Sequence, residues 1–325
     1  MELCEVRIPT YKRPALLKRA LESLIAQDYP YWQALVMDDS PEQEARLVVA
    51  ALKDDRIHYA PNPKNLGCAG NINRAFTSQS LMKGCYACVL EDDNWLLPHF
   101  LSENITSLNT NRVNLLLRNQ EIWLQAQEVA TPTEKTTKGN WFIARTYTPL
   151  ELHAHLFFME GISNGGLFWQ TSLKSNLQVS SQVKDSGLQE YCRTLQICEP
   201  LHFEPIPLCA WSEMSSNQSL RNALRNRIFG RGVQSLKQKL LVHYGTSIVL
   251  EASKIADLTY QQKIFESSLL DALFTRYPFR QLNIKQQIHQ YLKSYAKSII
   301  VQDPLAAYMN TLNLASLLPN NPEFA

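Results

Sequence analysis

Residues 86–100 read YACVLEDDNWLLPHF, an apolar segment that runs directly into three acids, Glu91, Asp92 and Asp93. The apolar part is typical of a buried strand, and adjacent carboxylates at its end repel one another and lose hydration. A hard divalent cation would remove that repulsion and could also hold a diphosphate. Two alternatives stay open: a general acid and base pair, or acids that complement the dipole of a following helix.

Short apolar runs alternate with helical stretches through the first hundred residues. The runs at 3–8, 33–37, 56–59 and 85–90 predict strands, and apolar residues at helical spacing predict helices at 14–25, 42–53 and 69–82. This alternation predicts an α/β fold, a mostly parallel, Rossmann-like sheet flanked by helices. Ligands of such sheets bind beyond the carboxyl ends of the strands.

Polar residues follow each of these four strands, at 9–13 (PTYKR), 38–40 (DDS), 61–65 (PNPKN) and 91–94 (EDDN). The carboxyl ends of parallel strands meet at one edge of a sheet, so the four stretches predict a composite site. For Asp38 and Asp39 taken alone, the alternative is a helix entry before Pro41.

The alternation weakens after about residue 110. Strands are predicted at 113–118 and 122–126, a polar turn or mobile loop at 131–140 (TPTEKTTKGN), and a loop at 161–166 that leads into a strand. Beyond residue 215, successive amphipathic segments at 220–244, 247–259, 261–277, 284–301 and 304–318 predict a helical region. We therefore expect one domain over 1–215, with halves 1–105 and 106–215, and a helical C-terminal region over 216–325.

Composition indicates a globular protein without a nucleic-acid partner. The net charge of +2 is too small to favour nucleic acid, and no run of about 18 apolar residues could span a bilayer. Scattered cysteines and the lack of a signal-peptide core predict a cytoplasmic protein. Cys85 and Cys88 lie in a predicted strand that points them to opposite faces, and His153 and His155 lack a third ligand. Burial in a strand is therefore favoured for the two cysteines, and a surface or packing role for the two histidines, over metal sites.

Four ordered motifs resemble the inverting family-2 glycosyltransferases of the GT-A fold. They are IPTY at 8–11 with Arg13 and Pro14, VMDDS at 36–40, Asn65-Leu-Gly67 with Asn73, and EDDN at 91–94 with Pro98 and Leu101. The resemblance is strong over 3–105 and weak over 106–215. It implies a metal-dependent, inverting transfer of a sugar from a nucleotide-diphosphate donor, with a UDP-sugar as first choice. The implied acceptor is a glycan, a polysaccharide or a lipid-linked sugar.

The resemblance also implies roles for single residues in the donor site. Pro9, Thr10 and Tyr11 would contact the base, Arg13 the base or the phosphates, and Asp38 or Asp39 would accept a hydrogen bond from the base. Asp92 would hold the ribose or sugar, and Asp93, beside Asp92, would bind Mn²⁺ or Mg²⁺. The remaining nucleotide-sugar contacts implied by the matching motif are Lys64, Asn65, Gly67 and Asn73.

Two departures from the family pattern keep a second class of function open. No arginine lies within 67–72, where Lys64 or Arg74 could substitute, and the segment at 211–214 (WSEM) lacks the usual Arg and His. A degenerate, non-catalytic protein that binds a nucleotide-sugar or serves as a scaffold is therefore the alternative to a transferase.

An inverting transfer needs a carboxylate that takes the proton of the acceptor hydroxyl. The resemblance implies this base near a helix start in the second half, which matches VKDSGLQEYCR at 183–193. Asp185 is the first choice and Glu190 the second. A helix N-cap role for Asp185 is compatible with catalysis.

The segment 221–239 is rich in arginine and lysine and has no acid. It could face an anionic lipid surface, a lipid-linked diphosphate acceptor or the donor phosphates, and a solvated helix face is the alternative. Peripheral contact with the inner membrane face through this segment, and oligomerisation through the helical region, are thus both compatible with the sequence.

Overall fold

The computed structural model describes residues 2–139, 141–158, 160–214, 223–260 and 283–314. The chain divides into two compact units. The first contains Met1–Thr146, Ile162–Gln178 and Glu199–Ser219, and the second contains Tyr147–Gly161, Val179–Cys198 and Leu220–Ala325. The second unit thus joins the C-terminal region to two segments from the predicted acceptor half.

The first unit is built on two sheets. Its strands are β1 (Cys4–Thr10), β2 (Trp32–Asp38), β3 (Ile57–Pro61), β4 (Tyr86–Val89), β5 (Trp95–Leu96), β6 (Leu115–Arg118), β7 (Glu121–Ala126), β8 (Val129–Thr136), β9 (Arg145–Tyr147), β10 (Leu167–Gln170), β11 (Leu201–Glu204) and β12 (Cys209–Met214). The main sheet has the order β3-β2-β1-β4-β10-β6-β11-β9, and the smaller one has the order β5-β12-β7-β8.

The main sheet is mostly parallel, as the sequence predicts. Strands β3, β2, β1 and β4 run parallel to their neighbours, β10 lies antiparallel between β4 and β6, and β11 is parallel to β6. Val6, Ile8 and Val36 are completely buried in the core of this sheet.

Helices α1 (Pro14–Ile25), α2 (Glu44–Leu52), α3 (Gly67–Ala75) and α4 (Phe100–Asn111) belong to this unit. Pro14 occupies the first turn of α1, where its missing N–H costs nothing. Leu17, Ala20, Leu21 and Leu24 recur at helical spacing and are buried, so this face of α1 packs on the core.

Helix α3 ends seven residues before the predicted end at residue 82, because a buried ion pair organises the following segment. Arg7 Nη2 lies 2.9 Å from Glu5 Oε2, and both side chains are fully buried in β1. Arg7 donates to the carbonyls of Ala75, Thr77 and Gln79. Glu5 accepts from the backbone N–H groups of residues 81, 82 and 84. The backbone groups after Ala75 thus find partners outside a helix.

The prediction of a polar turn or loop at 131–140 is wrong for most of its length. Residues up to Thr136 belong to β8, which pairs antiparallel with β7. β-Branched threonines favour strands, and Thr133 Oγ1 donates to Ile122 O at 2.6 Å. The polar composition reflects an exposed edge strand rather than a turn.

The second unit is helical. It contains α5 (Pro149–His155), α6 (Ser186–Leu195), α7 (Ala223–Tyr244), α8 (Ser247–Tyr260), α9 (Ile284–Ile300) and α10 (Ala306–Thr311). The helix predicted at 261–277 and the last residues of the segment 304–318 lie outside the described residues. His153 and His155 are buried in α5, which agrees with a packing role. In the described part of the chain, no helix is long and apolar enough to cross a membrane.

Candidate active site

The polar stretches after β1, β2, β3 and β4 lie at one edge of the main sheet. Thr10 pairs with Asp38 in the register of β1 and β2, and Asp38 pairs with Pro61 in that of β2 and β3. The backbone N–H of Asp39 donates to Thr10 O at 3.0 Å, and that of Leu90 donates to Arg7 O at 3.0 Å. The fold therefore brings the four stretches together, as the sequence predicts.

Asp92 is held at this edge by the end of β1. One of its oxygens, Oδ2, accepts from Thr10 Oγ1 at 2.8 Å and from the Tyr11 N–H at 3.2 Å. Its other oxygen lies 3.3 Å from Arg13 Nη1, and the same nitrogen lies 2.6 Å from Asp93 Oδ2. Arg13 therefore bridges the two aspartates, in the part of the site where the phosphates were expected.

The two aspartates differ in environment. Burial, followed by the charge of Asp93, raises the pKa of Asp92 to about 6, against the opposing effect of Arg13. The side chain of Asp93 is more exposed, at 17% against 8% for Asp92. Two carboxylates this close are favourable only with positive charge nearby, which Arg13 supplies in part.

The oxygen ligands around Asp93 fit a divalent cation whose coordination shell is completed by substrate phosphates and water. In the part of the chain that the structure describes, no three His, Cys, Asp or Glu side chains form a closed metal cluster. Both oxygens of Asp92 are engaged, whereas Asp93 Oδ1 has no hydrogen-bond partner among the described residues. Mg²⁺ is commonly bound by one or two carboxylates together with substrate phosphates and water. One accessible carboxylate beside a buried one meets that requirement.

Glu91 shapes the turn rather than facing the site. Its carboxylate accepts from Asn94 Nδ2 at 2.9 Å and lies 3.5 Å from Asn164 Nδ2. Asn94 Oδ1 in turn accepts from the Ser212 N–H at 2.8 Å, which ties the acidic turn to β12. The sequence did not predict this structural role of Asn94, although its position directly after the three acids could have indicated it.

Asp39 caps a helix, but a different helix from the one that the sequence suggests. Its Oδ1 accepts from the Leu66 N–H and its Oδ2 from the Gly67 N–H, at 2.8 and 2.9 Å, where α3 begins. Helix α2, which follows Pro41, has no side-chain cap. A cap from a neighbouring strand end satisfies donors that α3 itself leaves unpaired.

Asp38 is also buried and hydrogen-bonded. Its Oδ1 accepts from the Ser40 N–H at 2.9 Å and its Oδ2 from the Tyr59 hydroxyl at 3.0 Å. Burial first, and then this bond to Asp38, raises the pKa of Tyr59 to about 12. Each oxygen of Asp38 thus has one protein partner and can still accept another hydrogen bond.

A network of amides extends from Asp39 to the third strand end. Asn62 Nδ2 donates to Asp39 Oδ1 at 2.8 Å and to Asn71 Oδ1 at 3.0 Å, while Arg74 Nη1 donates to Asn62 Oδ1. Asn71 Nδ2 donates to Met37 O at 2.9 Å. Asn62 belongs to the predicted polar stretch at 61–65, but its bonding role and the whole contribution of Asn71 were not predicted, because partners nine or more residues apart leave no local pattern.

The remaining predicted donor-site residues fall into buried and exposed groups. Pro9, Thr10 and Asn73 are buried, while Lys64 and Asn65 are exposed in the loop before α3. Gly67 has φ +72, a conformation that favours glycine. Tyr11 is 46% exposed, and the Lys12 ammonium lies over its ring, 5.7 Å from the centroid.

Both predicted base candidates belong to α6 in the second unit. Asp185 is the N-cap: its Oδ1 accepts from the Leu188 N–H at 3.0 Å, and its Oδ2 accepts from Arg225 Nε at 3.0 Å. Glu190 lies one turn further along α6 and is half-buried. The capping role of Asp185 is therefore present in the structure.

Residues 5–153 match the family model of glycosyl transferase family 2. The Escherichia coli UDP-Glc:alpha-D-GlcNAc-diphosphoundecaprenol beta-1,3-glucosyltransferase WfgD is 27% identical over 120 residues, 37% of this chain and 46% of that protein. The Campylobacter jejuni GalNAc(5)-diNAcBac-PP-undecaprenol beta-1,3-glucosyltransferase is 33% identical over 112 residues, 34% of this chain and 35% of that protein. The chain thus spans less than half the length of these curated relatives.

A solved structure, S. aureus TarS 1-349 in complex with UDP-GlcNAc, shares the fold. It matches with a TM-score of 0.56 at 14% identity, and the match covers 91% of this chain and 88% of that one. This similarity confirms the predicted GT-A type fold with its helical C-terminal region. The family match covers the four strand-end motifs and the acidic turn. The chain is therefore similar, over residues 5–153, to the glycosyl transferase family 2 model.

Proposed function

We propose that the protein is a metal-dependent, inverting glycosyltransferase that uses a nucleotide-diphosphate sugar, with a UDP-sugar as first choice. The observation that carries this proposal is the pairing at the sheet edge of buried Asp92, held by Thr10 and Tyr11, with the more accessible Asp93. Such an edge offers hydrogen-bonding groups for a nucleoside and a carboxylate that could hold a cation at the diphosphate.

The nucleoside would lie against the ends of β1 and β2. The exposed Tyr11 ring would contact the base, and Asp38 retains acceptor capacity for the N–H of uracil. Asp39 contributes indirectly, because it fixes the start of α3 and the loop that contains Asn65. Lys64 on this exposed loop and buried Asn73 remain proposed contacts.

Asp93 would hold Mn²⁺ or Mg²⁺ at the diphosphate, with Asp92 beside it. A bound cation would supply charge neutralisation for the departing nucleotide diphosphate. Arg13 already lies against both carboxylates, and its partly exposed guanidinium can reorient toward a phosphate when a donor binds. Asp92 is fixed by its bonds to β1 and would orient the ribose or the sugar.

Asp185 would take the proton of the acceptor hydroxyl, with Glu190 as the second candidate. The support from the structure is that Asp185 retains an ionisable carboxylate at a defined helix start, with Arg225 to stabilise its charge. Loss of a positioned general base typically lowers a rate by about 10²- to 10⁴-fold.

The acceptor is proposed to be lipid-linked. Two relatives are named for transfer to diphosphoundecaprenol-linked sugars, and they share 120 and 112 residues with this chain. A polysaccharide or free glycan acceptor would use the same donor chemistry.

A thermal-shift screen of UDP, GDP, CDP and TDP, each with and without Mn²⁺, tests the proposal. UDP with Mn²⁺ should raise the melting temperature by several degrees, since a ligand at about 100 times its Kd stabilises the folded state by about 2.7 kcal/mol. UDP alone should raise it less. Absence of a response to every nucleotide would refute donor binding and favour a scaffold protein. A response to UDP without turnover of any UDP-sugar would favour the degenerate, nucleotide-binding alternative.

A further inference from the structure

Helix α9 (Ile284–Ile300) carries large apolar side chains that the structure leaves exposed. It begins with a capping box in which Asn283 Oδ1 accepts from the Gln286 N–H and Gln286 Oε1 accepts from the Asn283 N–H, both at 3.0 Å. The exposed fractions along the helix are 73% for Ile284, 54% for Ile288, 64% for Leu292, 60% for Tyr295, 66% for Ile299 and 80% for Ile300.

Five of these residues, from Ile284 to Ile299, form one stripe. Their spacings of four, four, three and four residues place them within an arc of roughly 80° at 100° per residue. Exposed apolar side chains scattered singly are ordinary, but a row along a whole helix marks an interaction surface. We call these five residues the α9 stripe.

The charged residues of α9 indicate which kind of partner would fit this helix. The sequence from 283 to 302 contains three lysines and no acid. Lys285 and Lys293 are exposed, and on the helical wheel Lys285 lies about 20° from the edge of the α9 stripe. Lysine side chains in this position can keep their ammonium groups among lipid headgroups while the apolar face enters the acyl boundary.

A second copy of the chain fits this surface less well. Two α9 stripes packed against each other would bring their flanking lysines together without an acid in the helix to pair with them. An anionic lipid surface complements the charge and accepts the apolar side chains at once. The helix is about 25 Å long and would lie in the interface plane.

Four basic side chains of the segment 221–239 have partners within the second unit. Arg225 pairs with Asp185 and Arg231 with Asp303. Lys237 is buried against the Phe157 ring, and Lys239 Nζ donates to Met309 O at 2.9 Å. These side chains are therefore poorly available for a lipid surface, and the membrane contact proposed there from the sequence is better placed on α9.

We propose that α9 is an interfacial anchor that binds the surface of anionic phospholipid bilayers through the α9 stripe, with Lys285 beside it. The anchor would hold the protein at the surface where a lipid-linked acceptor resides, a consequence that rests on the proposed function. Lipid binding itself needs neither donor nor metal.

Flotation of the full chain with vesicles tests the anchor. Vesicles of phosphatidylcholine alone and of equal parts phosphatidylcholine and phosphatidylglycerol are compared at low and high salt. The protein should float with the anionic vesicles, and the substitution pair Ile288→Gln and Leu292→Gln should lower the bound-to-free ratio by about tenfold or more. Lys285→Gln should reduce the salt dependence of binding to the anionic vesicles.

The matched control pair is Leu47→Gln with Val242→Gln, which removes two apolar side chains that are 76% and 85% exposed on other helices. This pair should float like the unmodified protein. Equal flotation of the Ile288/Leu292 pair, or no binding to either vesicle, would overturn the proposal. If the unmodified protein did not bind vesicles but formed a dimer in sedimentation velocity, and the Ile288/Leu292 pair made it a monomer, the α9 stripe would be a contact between two copies of the chain. Calorimetric binding of UDP should be unchanged in every variant, so failure of the anchor is separable from failure of the donor site.

Discussion

Replacement of Asp39 separates a helix-capping role from a direct role in nucleotide binding. The Asp39 carboxylate is 4% exposed and accepts from Asn62 Nδ2 and from the N–H groups of Leu66 and Gly67. Asp39→Ala leaves these three donors without their acceptor, at a cost of about 1 kcal/mol each. Asp39→Asn retains an oxygen for two of them, so it should cost about 1 kcal/mol in total.

Differential scanning calorimetry measures the effect. At about 2 °C per kcal/mol for a chain of this size, Asp39→Ala should lower the melting temperature by about 6 °C and Asp39→Asn by about 2 °C. Asp55→Ala is the control, because Asp55 is an exposed acid in the turn before β3, and it should shift the temperature by less than about 1 °C. A melting temperature of Asp39→Ala equal to that of the unmodified protein would refute the cap. If UDP affinity fell instead, Asp39 would be a direct contact.

Three further predictions concern the base, a buried histidine and a glycine. Asp185→Asn should keep the cap of α6 and UDP binding but lower turnover by about 10²-fold or more. If Asp185→Asn retained turnover and Glu190→Gln lost it, Glu190 would be the base. Burial lowers the pKa of His153 to about 4 in the folded protein, so below about pH 6.5 the unfolded chain takes up a proton that the folded protein does not. The free energy of unfolding of the unmodified protein should therefore fall by about 2 kcal/mol between pH 7 and pH 5 through this residue. In urea unfolding, His153→Gln should lack that part of the decrease. A Cβ at Gly166 would lie 2.2 Å from the backbone oxygen of Arg118, so Gly166→Ala should cost about 3 kcal/mol in unfolding experiments. Gly165→Ala should cost less, because its Cβ would meet the ends of the Gln120 and Asn94 side chains rather than backbone. Equal stabilities of the two variants would contradict this packing.

The strands of the donor half are predictable from the sequence because each is a short apolar run that ends in polar residues. The predicted strands at 33–37 and 56–59 agree with β2 and β3 to within about two residues. The composite edge follows from them, since parallel strands place their carboxyl ends together. The acidic turn at 91–93 could therefore be located before its contacts were known.

The features that the sequence does not reveal depend on partners far apart in the chain. Arg7 donates a hydrogen bond to the carbonyl of Ala75, 68 residues further along the chain, and this contact ends α3 early. Asp39 meets the start of α3 from 27 residues away. In β8, by contrast, the local signal was present but ambiguous, because threonine and lysine are common both in turns and on exposed edge strands.

We propose that Asp93 holds a divalent cation against the diphosphate of a bound nucleotide. Isothermal titration of UDP, with and without Mn²⁺, compares the unmodified protein with Asp93→Asn, which keeps the shape of the side chain and removes its charge. We predict that Asp93→Asn weakens UDP binding by about tenfold or more and abolishes the effect of Mn²⁺. Equal UDP affinity in the two proteins, with the same dependence on Mn²⁺, would contradict it.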